Sequence, residues 1–152
     1  MNKQLNIRPF TAEDVPVLLE LMKALACFEG YINDFRITED ILLSAGFGDQ
    51  PTFSATVAEF DGTLVGYGVY YVIPFTYNMR PTVVMKELYV TESARGTGAG
   101  QALFNHIKLA ANQMDAAHLK WLVHPTNQPA KTFYRKQGGQ IDKDWEHWHL
   151  AL

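Results

Sequence analysis

Between Ser93 and Ile107 the chain reads SARGTGAGQALFNHI, with Gly96, Gly98 and Gly100 alternating behind Arg95 and ahead of an apolar run at helical spacing. A backbone without Cβ can curl so that successive N–H groups point at one spot. The unpaired first-turn N–H groups and positive dipole end of a following helix would point the same way. Such a construction suits an anion, typically a phosphate. Two familiar phosphate loops fail letter by letter. G-x-G-x-x-G breaks because the sixth residue from Gly96 is Gln101, and G-x-x-x-x-G-K-[ST] breaks because no Lys–Ser/Thr pair follows these glycines. Spacing alone leaves two readings open, an anion cradle and a flexible strand-to-helix connection. Three alternating glycines make a costly connection, since each loses more backbone entropy on ordering than other residues.

Other chemistry-bearing residues are sparse. The histidines stand at 106, 118, 124, 147 and 149; His147 and His149 would share a strand face, but no third ligand sits at metal-binding spacing, so no metal is expected. His124 reads as a loop histidine or a proton relay. The single cysteine, Cys27, forbids an internal disulfide and reads as a small core residue on an apolar helix face. Tyr67, Tyr70, Tyr71, Phe75 and Tyr77 fit either an acceptor cleft or a sheet core with a few exposed rings.

With 152 residues and 47% hydrophobic content, the chain can bury one core and is short for two, so residues 1–152 read as a single domain. A net charge of −3 argues against general nucleic-acid binding. No basic-then-apolar leader is visible and no apolar run approaches about 18 residues, so no membrane association and a cytoplasmic location are expected.

The elements that must position the loop follow from periodicity. Leu5 to Phe10 reads as a first strand. Thr11 and Asp14 approach a capping box, ahead of a helix burying Val15, Leu18, Leu19, Met22, Leu25 and Ala26. A second helix runs from Thr38 to Gly46. TFSATVAEF and TLVGYGVYYV flank Asp61-Gly62, a hairpin signal. Thr82 to Val90 is a further strand, followed by the glycine loop and a helix burying Leu103, Ile107, Ala110 and Met114. His118 to Val123 is a strand, Pro129 opens a helix that Gly138 closes, and Gln140 to Leu152 alternates as one or two last strands. The order β-α-α-β-β-β-α-β-α-β is mixed α/β around a central sheet.

Arg95-Gly96-Thr97-Gly98-Ala99-Gly100, in a strand–loop–helix setting, resembles the [QR]-x-x-G-x-[GA] signature of the GNAT superfamily of acetyl-CoA-dependent N-acetyltransferases. NQPAKTFYRKQGG, with Asn127, Phe133, Tyr134 and Gly138, resembles its second signature. Nearly the whole chain, including the Ile37 to Gly48 stretch, is similar to the diamine (spermidine/spermine-type) acetyltransferase subgroup. The resemblance implies a mixed, mostly antiparallel sheet of six to seven strands flanked by about four helices. It also implies a homodimer, with Trp145 and Trp148 near its contact or, alternatively, closing the monomer's own core.

The resemblance further implies direct transfer of the acetyl group of acetyl-CoA to a primary amine of a small molecule. Arg95, Gly96, Thr97, Gly98, Ala99 and Gly100 would hold the pyrophosphate; Leu88, Tyr89 and Val90 would pair with the pantetheine arm; Asn127, Phe133 and Tyr134 would complete the cofactor site. Tyr134 would be the general acid for the leaving thiolate. In the subgroup two adjacent acidic residues serve the amine; here Glu87 matches the second, while Lys86 replaces the first with the opposite charge. An ammonium at Lys86 would repel polyamines and favour a lysine- or thialysine-like acceptor carrying its own carboxylate. Glu29, Asp34 and Glu92 are further candidates for holding a cation. Two alternatives accompany this reading: a protein or peptide N-acetyltransferase, and an acetyl-CoA-binding module without turnover.

Overall fold

The computed structural model describes residues 4–152. The described chain divides into two compact units, one ending at Trp121 and the other beginning at Leu122.

The first unit is built on a five-stranded sheet in the order β1-β2-β3-β4-β5, comprising β1 (Leu5–Pro9), β2 (Ser54–Phe60), β3 (Thr63–Ile73), β4 (Thr82–Val90) and β5 (His118–Trp121). The first three pairings are antiparallel and β4–β5 is parallel. Asp61 and Gly62 both adopt the left-handed conformation that a tight β2–β3 hairpin requires. α1 (Val15–Glu29) and α2 (Glu39–Gly46) cover one face, where Leu18, Met22, Leu25 and Leu42 pack with Val57, Tyr67 and Val69. α3 (Ala99–Gln113) covers the other, where Leu103 packs with Ala58, Val65, Leu88 and Val90. Strand alternation sorts the side chains, with Ala55 and Val57 towards α1 and Ala58 towards α3.

α1 is entered as the sequence predicts. The Asp14 carboxylate accepts from the Thr11 backbone N–H at 2.7 Å. The Arg8 guanidinium donates to both Asp14 oxygens at 2.7 and 2.9 Å and reaches Glu59 at 3.2 Å, tying β1 and β2 to the helix entry. Arg8 holds the Asp14 carboxyl below its ordinary range. At α2, Thr38 Oγ1 accepts from the Ile41 N–H.

In the second unit, α4 (Gln128–Lys136) starts at Asn127, whose side chain accepts from the Ala130 N–H at 3.1 Å. Pro129 occupies the first turn and Gly138 follows in the left-handed conformation.

Three expectations are corrected. The sheet has five strands among the described residues, not six to seven, because the tail from Gln140 forms none. An alternating pattern needs a neighbouring strand to take up its backbone hydrogen bonds, and Trp145, Trp148 and Leu150 are exposed. The strand expected to run to Val123 ends at Trp121. Cys27 is exposed, because one residue past Ala26 the helix has turned about 100° away from the buried stripe.

α3 approaches the sheet over two glycines of β3. A Cβ at Gly66 would lie 2.7 Å from the Tyr89 carbonyl oxygen, and one at Gly68 would lie 2.7 Å from the Ile107 Cδ1 methyl. Backbone cannot yield as a methyl can, so Gly66→Ala is expected to lose about 1–3 kcal/mol of stability, as overpacked sites do. Gly68→Ala should lose clearly less. Urea unfolding midpoints of the two variants check the order.

Candidate active site

β4 is irregular where its chemistry-bearing residues lie. Val69 pairs with Glu87 and Tyr70 with Met85, so Lys86 is an extra residue bulged out of the ladder. Lys86 is accordingly exposed, while Glu87 turns to the α1 face with Tyr89. β5 pairs with β4 only from Thr82 to Met85, whereas β3 continues to Val90. Beyond Met85, the edge of β4 that faces away from β3 therefore carries no strand among the described residues. Unpaired N–H and C=O groups along such an edge are open to an extended ligand.

Glu87 stands in a group drawn from three places. α1 ends at Glu29 because Gly30 takes the left-handed conformation, which brings Tyr31 back towards the sheet. The Tyr31 hydroxyl donates to Glu87 Oε1 at 3.5 Å, the long limit for such a bond. Burial pushes the Glu87 carboxyl above its ordinary range, and the Glu29 charge adds to this. Lys86 and the hydroxyls of Tyr67 and Tyr31 pull it back in part. Burial and the two carboxylates push the Tyr31 phenol up to about 12. A carboxyl poised towards neutrality beside phenols that keep their protons suits proton transfer with an amine.

The glycine loop has the geometry of a cradle. After β4 a short 3-10 turn, Glu92–Ala94, leads into extended Arg95. Gly96 and Gly98 then take left-handed conformations, with nothing within 4 Å of where their Cβ atoms would stand. The first turn of α3 closes with Ala102 donating to the Gly98 carbonyl, so the amides of Ala99 and Gly100 lie ahead of that bond. An anionic group such as a pyrophosphate fits this arrangement. The Arg95 guanidinium donates to the Val90 carbonyl at 3.3 Å and lies over the Phe28 ring at 5.6 Å, bracing the loop against the ends of β4 and α1. A cleft of about 620 Å³ behind the loop is lined by Phe60, Asp61, Thr63, Val65, Ser93, Ala94 and Thr97. Its one charged side chain is acidic, which disfavours a phosphate there.

In the second unit, Phe133 and Tyr134 are half-buried on α4 with their rings 5.3 Å apart. Of the sequence-derived cation holders, Glu29 acts on Glu87, whereas Asp34 and Glu92 stand exposed on their 3-10 turns. The aromatic run divides: Tyr67 is buried on the Glu87 face, while Tyr71, Phe75 and Tyr77 are exposed. Tyr31 was not among the sequence candidates, and only the turn imposed by Gly30 reveals it. No group of three or more metal-ligating side chains occurs among the described residues, and none of their helices is long and apolar enough to cross a membrane.

Residues 19–139 match the acetyltransferase (GNAT) family. The mouse thialysine N-epsilon-acetyltransferase is 30% identical over 93% of this chain and 88% of its own length. The human spermidine/spermine N(1)-acetyltransferase-like protein 1 is 31% identical over 95% of this chain, which spans only 22% of that protein. Among solved structures, an aminoglycoside acetyltransferase from an uncultured soil metagenomic sample superposes with a TM-score of 0.81 over 97% of this chain and 96% of its own, at 19% identity. The chain belongs to the acetyltransferase (GNAT) family, whose acetyl donor is acetyl-CoA, and it is an acetyltransferase of the mixed α/β fold that the resemblance implies.

Burial of Glu87 has a consequence for stability. An acid whose folded pKa is raised contributes stability that is lost as pH rises from the unfolded value, here 4.5, through the folded one. Glu87→Gln is therefore expected to melt at a higher temperature than the parent at pH 7.5 and at nearly the same temperature at pH 4. Thermal melts at the two pH values check it.

Proposed function

We propose that this chain transfers the acetyl group of acetyl-CoA to a primary amine of a small molecule, with lysine- or thialysine-like amino acids preferred to polyamines. The observation that carries the proposal is Glu87, a half-buried carboxyl with a raised pKa, set beside Glu29 and Tyr31 where the edge of β4 carries no strand among the described residues.

An alkyl ammonium with a pKa near 10.4 costs about 4.6 kcal/mol to deprotonate at pH 7. Glu87 serves it, binding the ammonium and taking its proton directly or through water. Attack forms the N–C bond and breaks the C–S bond. Tyr134 returns a proton to the departing sulfur, a role resting on its place in the FYRKQGG segment that ends α4 and continues past it. The Leu88–Val90 edge holds the extended arm of the donor, and its outward amides face the developing oxyanion, where one donor can be worth about 3–4 kcal/mol. The residues from Arg95 to Gly100 hold its pyrophosphate; Asn127 and Phe133 complete the donor site.

Lys86 supports the choice of acceptor. Its charge already acts on Glu87, so a second and third cation on a polyamine meet repulsion while an acceptor carboxylate meets attraction. The relatives' names point both ways, one to thialysine and one to spermidine and spermine. The same reading takes residues 1–152 as one catalytic domain, which a family match running unbroken from 19 to 139 supports. It includes a cytoplasmic location and a homodimer whose contact involves the exposed Trp145 and Trp148.

Thiol release from acetyl-CoA against lysine, thialysine, spermidine and an aminoglycoside tests the proposal. Turnover with the amino acids is expected to exceed that with spermidine, and Lys86→Glu should reverse the order; a spermidine preference in the parent contradicts it. Tyr134→Phe is expected to lower kcat by about 10²-fold or more, the range of a general acid. A kcat within about twofold of the parent removes that role.

A further inference from the structure

Tyr67 has no part in the chemistry so far. It stands on β3 opposite Tyr89, next to the Val69–Glu87 pair, so its ring shares the α1 face with the Glu87 carboxyl. The side chain is fully buried, at 0% exposure. Its hydroxyl makes no hydrogen bond within the protein, although it lies close enough to Glu87 for each to shift the other's titration. A buried hydroxyl without a partner costs stability, and phenylalanine would fill the same space without that cost. A phenol kept there points to a role beyond packing.

We infer that Tyr67 is a positioning residue, whose buried hydroxyl donates to the Glu87 carboxylate from the core side when that carboxyl ionises. Tyr31 reaches the same carboxyl from the turn after α1. Held by two phenols, a carboxylate keeps lone pairs for one incoming ammonium and loses the freedom to swing away from it. Four groups face Glu87: Lys86 from its own strand, Glu29 from the end of α1, Tyr31 from the following turn, and Tyr67 from β3. Lys86 and the two hydroxyls favour the charged form; burial and Glu29 favour the neutral form. Tyr67 thus lets a desolvated carboxyl remain ionisable near neutral pH. The inference rests on reading Glu87 as the carboxylate that serves the amine, but its test does not require turnover.

The side-chain ¹³C resonance of Glu87 is titrated in the free, full-length protein, assigned by its loss in Glu87→Gln. Tyr67→Phe is expected to move the Glu87 midpoint to higher pH and to leave the melting temperature equal or higher at pH 4, where the Glu87 carboxyl is neutral. The acidic limb of kcat/KM for the accepted amine should move with the midpoint. An unchanged midpoint overturns the inference. So does a loss of melting temperature in Tyr67→Phe that persists at equal size in Tyr67→Phe/Glu87→Gln, since the hydroxyl would then be supporting the core. If the parent acetylates no amine at all, the proposed function fails, while the titration still decides the role of Tyr67.

Discussion

One extra residue in β4 sets the arrangement of the site. With Lys86 bulged out, Met85 and everything before it pairs with both β3 and β5, and everything after it pairs with β3 alone. A bulge increases local twist and re-aims side chains, and here it coincides with the end of the parallel pairing. At this irregularity Lys86 stands in solvent and Glu87 is half-buried towards α1. Without it, Lys86 and Glu87 would be ordinary neighbours on opposite faces of a continuous ladder.

Around that irregularity the fold uses two kinds of packing. On the α3 side, glycines at 66 and 68 let the helix lie close to β3, with Leu103 and Ile107 of α3 packed over them. On the α1 side, the packing is bulky: Leu18, Met22, Leu25 and Tyr67 form a core that ends at Tyr31 and Glu87. Desolvation is what raises the carboxyl's pKa, so the side chains that form the core also set the protonation of Glu87. A half-buried carboxyl with a raised pKa costs the fold stability at neutral pH.

The local features were legible in the sequence. Thr11 and Asp14, Thr38, Asp61-Gly62, and Pro129 with Gly138 each act through short-range chemistry, and each appears where its residue types place it. Features that depend on distant partners were not. The tail alternates like a strand but finds no ladder to join. Cys27 follows six well-spaced apolar residues yet points away from them. The nearness of Tyr67 to Glu87 depends on the register between β3 and β4, which the bulge displaces by one residue, and no periodicity encodes that displacement. Tyr31 reaches Glu87 only because Gly30 reverses the chain at the end of α1. The two signatures around Gly96 and Tyr134 located the family, whereas the phenols beside Glu87 emerged only from the folded chain.

The central claim is that the unpaired edge of β4 and the glycine loop together hold the acetyl donor, with its thioester end beside Glu87. A crystal structure of the protein with coenzyme A bound tests it most directly. The account predicts main-chain hydrogen bonds from the pantetheine arm to the Leu88–Val90 edge and a diphosphate accepting from amides between Arg95 and Gly100. A diphosphate seated instead in the cleft beside Asp61 and Thr63, with the β4 edge bare, would contradict it.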